Sequence, residues 1–139
     1  MSSRQYEIIE RPPTVLEHKT LWEAVGWGRV NIEMSEQSIA NSVYCLVAIS
    51  DGNVIGMGRI VGDGAMYYYI QDVAILPEHQ NRGIGKQIIE KLLKYINDNC
   101  SGAAFVGLFA SQEKDKFYEL FGFKDHSPGM TGMFMVMDK

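Results

Sequence analysis

A glycine-containing loop between two strongly patterned segments constrains the fold of this chain more than any other feature. It follows residues 67–76, an apolar run typical of a strand, and precedes residues 84–96, an amphipathic run typical of a helix. Glycines at such a junction let backbone N–H groups approach an anion, and the helix start adds unpaired N–H donors and the positive end of its dipole. The sequence therefore predicts a main-chain phosphate cradle, formed by Gln80, Asn81, Arg82, Gly83, Ile84, Gly85 and Lys86.

The rest of the chain alternates between strand and helix signals. Thr14 is a candidate N-cap for a first helix that ends at residues 26–28, and residues 51–53 read as a hairpin turn. A strand–helix–strand unit in the middle predicts a right-handed parallel crossover. The predicted fold is a mixed α/β sheet flanked by helices, with strands at 6–9, 43–49, 54–61, 67–76, 104–110 and 130–137, and further helices at 35–42, 84–96 and 114–121. We expect 67–76 to be buried on both faces and 104–110 to be a buried strand.

Composition excludes several classes of function. A length of 139 residues predicts one domain over residues 1–139. The formal charge of −4 argues against a nucleic-acid-binding surface, and it is compatible with a cationic small substrate or simply with solubility. No apolar run approaches the ~20 residues that span a bilayer. We therefore expect neither a nucleic-acid partner nor a membrane partner.

The cysteines and histidines do not form a metal or disulfide pattern. Cys45 and Cys100 lack the number and spacing of a zinc site or a disulfide framework, and Cys45 reads as a buried thiol in a reducing compartment. The three histidines show no metal spacing, so no metal is expected. Residues 1–7 lack the apolar core of a signal peptide, and we expect a cytoplasmic protein.

A second motif follows the cradle by about thirty residues, and together the two resemble a known family. Gln80, Gly83 and Gly85 match the pattern Gln/Arg-x-x-Gly-x-Gly/Ala, while residues 117–123 match aromatic-Tyr-x-x-x-Gly-Phe with Tyr118 at its centre. In this order the motifs resemble the GNAT superfamily of acyl-CoA-dependent N-acyltransferases. The likeness is close over residues 43–124, and it implies a single GNAT-like α/β domain.

The resemblance implies acetyl-CoA as the co-substrate and assigns it binding residues. The amides of residues 80–86 would bind the pyrophosphate, and backbone groups of Val73 and Ile75 would pair with the pantetheine arm as an added strand does. Many relatives carry Asn where this chain has Ser111, so a hydroxyl would make that contact here.

Tyr118 is the catalytic candidate. When an amine attacks the thioester, coenzyme A leaves as a thiolate that needs a proton. Transfer from a phenol of pKa about 10 to a thiol of pKa about 8.5 is uphill by only ~2 kcal/mol, so a tyrosine is a usable general acid. The alternative interpretation is a core tyrosine on an amphipathic helix.

The general base and the acceptor pocket are less defined. Relatives that use a side-chain base on this strand place it where this chain has Tyr69 and Gln71, neither a carboxylate nor an imidazole. Ordered water would then carry the amine proton, with Tyr69 and Gln71 shaping its path. These two residues share a strand face, and with Trp27 they are the predicted substrate-binding residues on the acceptor side. Strand alternation turns Asp72 to the opposite face, where we expect it to be paired and not catalytic. Trp27 reads equally as an acceptor-lining or a core residue, and Phe134 and Trp22 read as core.

These observations predict transfer of an acetyl group from acetyl-CoA to a primary amine of a small molecule by direct attack. The alternative is a non-catalytic acyl-CoA-binding sensor that retains the cradle without the chemistry. The resemblance is also compatible with a homodimer, a common state among relatives.

Overall fold

A five-stranded sheet organises the N-terminal part of the computed structural model, which describes residues 5–138. Residues 1–4, part of the signal-peptide argument, lie outside the described residues. The strands lie in the order in which they occur along the chain, and β1 to β4 are antiparallel neighbours. The fifth strand lies beside β4 and follows a long helix. The strands are β1 (Glu7–Glu10), β2 (Tyr44–Ser50), β3 (Asn53–Gly62), β4 (Tyr67–Ile75) and β5 (Phe105–Gly107).

Four helices accompany these strands. They are α1 (Val15–Ala24), α2 (Ile32–Ala40), α3 (Ile84–Asn99) and α4 (Asp115–Glu119), with a short 3₁₀ turn at Pro77–His79. In the described part of the chain, no helix is both long and apolar enough to cross a bilayer. Two compact units are present, one up to Val106 and one from Gly107 onward.

Capping and turn residues account for the positions of several elements. Thr14 caps α1 by a reciprocal pair of hydrogen bonds with Glu17, so this helix start is confirmed. The hairpin between β2 and β3 is confirmed as well, since Asp51 and Gly52 both have positive φ as its twist requires. Helix α2 begins earlier than the predicted 35–42, because Asn31 accepts a hydrogen bond from the Met34 N–H and caps it there.

Both faces of the sheet in the first unit are covered by helices. Helix α3 buries one apolar side against the sheet, which confirms its predicted periodicity, through Ile84, Ile88, Ile89, Leu92 and Ile96. It approaches closely at Gly58, where an added Cβ would lie 2.6 Å from the Ile88 Cγ2. On the other face Leu21 of α1 packs in a buried cluster with Val47, Met57 and Ala74. The strands that carry the site are thus held from both sides.

Three strand predictions were wrong in extent or burial. Residues 130–137 form no strand, and their apolar side chains are exposed, because an alternating pattern becomes a strand only beside a partner edge. The predicted buried strand 104–110 shrinks to the three residues of β5, with Phe105 exposed. In β4, Tyr68 and Ile70 are buried on the α3 face and Ala74 on the α1 face, but Tyr67 is exposed and the remaining positions are only partly buried, so the predicted burial on both faces holds only in part.

Replacing Thr14 by Ala is expected to destabilise the fold by about 1 kcal/mol, since it removes the side-chain acceptor for the Glu17 N–H. Thr20→Ala, at an exposed position within the same helix, is the matched control and should be neutral or slightly stabilising because Ala has the higher helix propensity. Urea denaturation of both variants measures the difference. Equal midpoints would show that the cap contributes nothing.

Candidate active site

The start of α3 is an uncapped helix N-terminus preceded by residues of left-handed backbone. Gly83 is the N-cap with φ of 84°, and among residues 5–138 no side chain caps the first turn by a hydrogen bond. The first helical bond runs from the Gln87 N–H to the Gly83 carbonyl, so the N–H groups of the first turn have no partner within the helix. Asn81 also has positive φ, 64°. Backbone of this kind makes a concave set of N–H donors for an anion.

Space and charge at this loop both suit an anionic ligand. A Cβ added at Gly83 would meet nothing within 4 Å, so the region in front of the helix is open. The first turn contains no acidic residue, whereas Lys86 lies in it exposed. Cations at this end of a helix are unfavourable unless an anion joins them. The predicted cradle therefore has the donors, the space and the charge that a diphosphate requires.

Two contacts fix the loop, one to the end of β4 and one to Tyr6 just before β1. The Gln80 side-chain amide donates to the Ile75 carbonyl at 3.0 Å, so Gln80 anchors the loop to the end of β4. The Arg82 guanidinium donates to the Nδ1 atom of His79 at 2.6 Å and lies over the Tyr6 ring, 5.7 Å from its centroid. The hydrogen bond from Gln80 takes one lone pair of the Ile75 carbonyl, a group that we had assigned to the pantetheine arm.

A bulge interrupts β4 beside this loop. Arg59 pairs with Gln71 and Met57 pairs with Ala74, so Gly58 faces two residues of β4, Asp72 and Val73. Asp72 accommodates the extra length with φ of 55°. The ladder to β3 is broken here, which leaves main-chain groups of β4 without regular partners.

The bulge overturns the predicted orientation of Asp72. Its carboxylate bonds to Arg59, the residue beside its neighbour Gln71, and to His18 of α1. Asp72 therefore lies on the same face as Gln71, the face that α1 covers. Val73 lies on the α3 face, where its Cγ2 is 3.7 Å from the position of a Cβ added at Gly58. Strand alternation predicted the wrong face because it assumes a regular strand.

Asp72 is the centre of a buried polar network, as its predicted pairing required. Its Oδ2 atom accepts from Arg59 Nε at 2.9 Å and contacts His18 Nε2 at 3.0 Å. Burial opposes ionisation, but the His18 hydrogen bond and the Arg59 charge outweigh it and hold the pKa of Asp72 below its usual value. The carboxylate therefore stays ionised at neutral pH.

The network extends to α2 through serine side chains. Ser35 Oγ lies 2.9 Å from His18 Nδ1, and Arg59 donates to the Ser38 carbonyl, the Ser38 hydroxyl and the Ser42 hydroxyl. Sequence reasoning missed all of these residues. One signal was available, because a single arginine in the apolar strand 54–61 demands a buried partner.

The other predicted acceptor-side residues lie near this network or on the same strand. Trp27 is 38% exposed and packs edge-to-face on Trp22, which lies 5.4 Å from the His18 ring, centroid to centroid. Trp22 is half-buried, and its indole nitrogen has no hydrogen-bond partner among the described residues. Tyr69 shares its strand face with Gln71 and packs against Phe105 at 5.6 Å. Asp72 joins His18, Trp22 and Trp27 in one series of contacts.

The second unit contains the predicted general acid. Tyr118 lies on α4, half-buried between the rings of Phe117 and Phe123. Burial raises its pKa, so the phenol stays protonated at physiological pH and is a weaker acid than a free tyrosine. Ser111 is exposed, and its carbonyl accepts from the Lys114 N–H. Phe134 is 79% exposed beside Phe109, so its predicted core position is wrong.

Cysteine thiols and side chains that can bind metals are two further kinds of reactive group in this chain. Cys45 is buried, as predicted, and burial raises the pKa of its thiol. Within residues 5–138 no three His, Cys, Asp or Glu side chains group closely enough to hold a metal ion.

Comparison with known proteins identifies the family. A model of the acetyltransferase (GNAT) domain matches residues 41–125, more than half of the chain. The chain belongs to the GNAT acetyltransferase family. A histone acetyltransferase of Glycine max, TAP1, is 32% identical over 132 residues, which cover 86% of this chain and 56% of that relative. The chain thus spans about half the length of this relative.

Solved structures of GNAT proteins share the fold. A probable acetyltransferase of unknown function from Staphylococcus aureus is 29% identical, with a TM-score of 0.89 over 95% of this chain and 99% of the other. A GNAT acetyltransferase from Brucella melitensis, solved in complex with acetyl-CoA, is 25% identical with a TM-score of 0.64 over 87% of this chain and 84% of the other. The mixed sheet flanked by helices is therefore the GNAT fold.

Replacing Arg59 by Met is expected to cost about 3–5 kcal/mol of stability, because it leaves the buried Asp72 charge without its guanidinium partner. Lys94→Met, which removes the cation of the exposed Lys94–Asp98 pair, is the control and should change little. Chemical denaturation at pH 7 compares them. Similar losses in the two variants would contradict a buried role for the Arg59 charge.

Proposed function

We propose that this chain transfers an acetyl group from acetyl-CoA to a primary amine of a small molecule by direct attack. The observation that carries the proposal is the uncapped start of α3 behind Gly83, with open space before it and cations at Arg82 and Lys86. A helix start of this design lacks an internal partner for its donors and favours a phosphate group. Family membership and the acetyl-CoA complex of the Brucella relative support acetyl-CoA as its source.

The chain has groups that could hold the pyrophosphate and the pantetheine arm of this co-substrate. The first-turn amides and the side chains of Arg82 and Lys86 would bind the pyrophosphate. Main-chain groups of Val73, at the bulge where β3 offers no regular partner, would bind the pantetheine arm as an added strand does. When bound, acetyl-CoA supplies the thioester whose carbonyl carbon accepts the amine.

The chain must also manage two protons. An alkylamine of pKa about 10.4 is neutral in about one molecule in two thousand at pH 7, so the ammonium form must lose a proton before attack. Water along Tyr69 and Gln71 would carry that proton away, since neither side chain is a base at this pH. As the new C–N bond forms and the C–S bond breaks, the Tyr118 hydroxyl would donate a proton to the departing sulfur. The nitrogen would then lose its second proton to water to give the amide, and a proton from water would restore the Tyr118 phenol.

Two other functions have specific support. The raised pKa of Tyr118, with no base at Tyr69 or Gln71, favours an acyl-CoA-binding sensor without turnover. The name of the Glycine max relative favours a protein amine as acceptor. Thiol release from acetyl-CoA, measured with a panel of small amines and with a lysine-containing histone peptide, separates the three. Tight binding without thiol release on any amine would identify the sensor, and release with the peptide alone would identify the protein acetyltransferase.

Gly83→Val is expected to weaken acetyl-CoA binding by about tenfold or more, because its side chain enters the space before α3 and disturbs the left-handed backbone. Gly52→Val is the matched control, since Gly52 also has positive φ and open space but lies in the hairpin between β2 and β3. Calorimetric titration with coenzyme A should show normal affinity in the control. Unchanged affinity in the Gly83 variant would reject the placement of the cradle.

Tyr118→Phe is expected to lower kcat by about a hundredfold or more while leaving the affinity for acetyl-CoA within about twofold, because it removes only the proton donor. Tyr95→Phe, in which the ring that stacks on Tyr44 is kept, is the control. Steady-state kinetics and calorimetry on both proteins provide the readout. Equal turnover in the Tyr118 variant and the wild type would exclude this tyrosine from the mechanism.

A further inference from the structure

The two carboxylate oxygens of Asp72 have different surroundings. Oδ2 is held by Arg59 Nε and His18 Nε2, while Oδ1 accepts no hydrogen bond from any residue in the described part of the chain. Buried side-chain polar atoms without a partner there are the Tyr6 hydroxyl and the Trp22 indole nitrogen, so Oδ1 retains contact with solvent although the side chain is only 9% exposed. An ionised carboxylate can accept about four hydrogen bonds, so Oδ1 can accept a further donor from a ligand.

The backbone of Asp72 is also held in an unfavourable conformation. A non-glycine residue with φ of 55° is uncommon, and here it occurs at the bulge that breaks the pairing of β3 with β4. Such residues persist where the surrounding structure imposes them, and they concentrate at functional sites. The strain turns Asp72 onto the face of Gln71, the strand position that we predicted to line the acceptor side.

Aromatic side chains continue from Asp72 toward the surface. His18 contacts the carboxylate, Trp22 packs on His18, and the partly exposed Trp27 packs on Trp22. Indole rings attract cations through their faces. The carboxylate therefore has one oxygen, Oδ1, in contact with solvent, while its other oxygen, Oδ2, bonds to the first ring of this aromatic series. A carboxylate combined with indole rings in this way suits an organic cation.

We propose that Asp72 is the acceptor-binding carboxylate, with its Oδ1 atom receiving the ammonium group of a cationic alkylamine and with Trp22 and Trp27 contacting the attached carbon chain. Arg59 and His18 are positioning residues that hold Oδ2 and so direct Oδ1. This assignment rests on the proposed acetyl transfer, and it narrows the acceptor to amines that are protonated at neutral pH.

The electrostatics of the network suit binding more than proton removal. Arg59 and His18 keep Asp72 ionised, which makes it a stable counter-ion and a weak base. The terminal nitrogens of Arg59 donate hydrogen bonds to Ser38 and Ser42, while its Nε atom donates to Asp72. These bonds hold the guanidinium between Asp72 and the end of α2. Water still carries the proton away once the amine is in place.

The test uses Asp72→Asn, which keeps the size of the side chain and removes its charge, with Asp98→Asn on the exposed surface of α3 as the matched control. The acceptor is the most active alkylamine of the thiol-release panel. Loss of a charge-assisted hydrogen bond should raise KM for this amine by about tenfold or more, with the coenzyme A affinity within about twofold. The control should change neither value.

The outcomes separate this assignment from the proposed function. If the wild type acetylates no amine, the proposed function fails and the assignment fails with it. If the wild type is active and the Asp72 variant keeps its KM, or loses coenzyme affinity to the same extent, the assignment is overturned while acetyl transfer stands.

A measurement on the wild type covers the case in which the Asp72 variant does not fold. Choline and its uncharged isostere 3,3-dimethyl-1-butanol are compared as competitors of the alkylamine. Choline should inhibit at least about fivefold more strongly, because only the cation is attracted by the carboxylate and the indole rings. Equal inhibition by the two compounds would overturn the assignment.

Discussion

The ion pair between Arg59 and Asp72 is the interaction on which the architecture of the first unit depends. It joins β3 to β4 at the bulge, and its hydrogen bonds to His18 of α1 and to Ser38 of α2 attach both N-terminal helices to the same point. Two charges removed from water are costly unless each is paired and hydrogen-bonded. The network meets that condition. Because α1, α2 and the bulge of β4 each contribute groups to it, we expect the loss of any one of them to destabilise the other two.

This dependence explains why one strand can carry two kinds of surface. Toward α3, Val73 and Ile70 contribute to an ordinary apolar core. Toward α1, the bulge places Gln71 and Asp72 side by side and leaves main-chain groups outside the regular ladder. A regular strand would present one residue of that pair to each face. The insertion of a single residue thus brings polar chemistry and free backbone to one place.

Features set by nearby residues were predictable from the sequence, and features set by distant partners were not. The α3 helix, the Thr14 cap and the left-handed glycine turn at the start of α3 each follow from a few neighbouring residues. The bulge depends on how β3 and β4 pair, and no pattern within 67–76 reveals an extra residue. His18 and Asp72 are 54 positions apart, so only the folded chain brings them together. The strand predicted at 130–137 failed for the same reason, because alternation does not supply a partner.

A ligand that binds at the proposed cradle would raise the free energy of unfolding of the chain. The first turn of α3 contains a lysine and no acidic residue. The lysine charge is repelled by the positive end of the helix dipole, and a bound dianion would offset that repulsion. Any ligand that binds only the folded chain adds stability in proportion to the logarithm of its concentration over Kd, about 2.7 kcal/mol at a hundredfold excess. If the loop binds coenzyme A as proposed, the melting temperature would rise with coenzyme concentration and would report its occupancy without any acceptor amine.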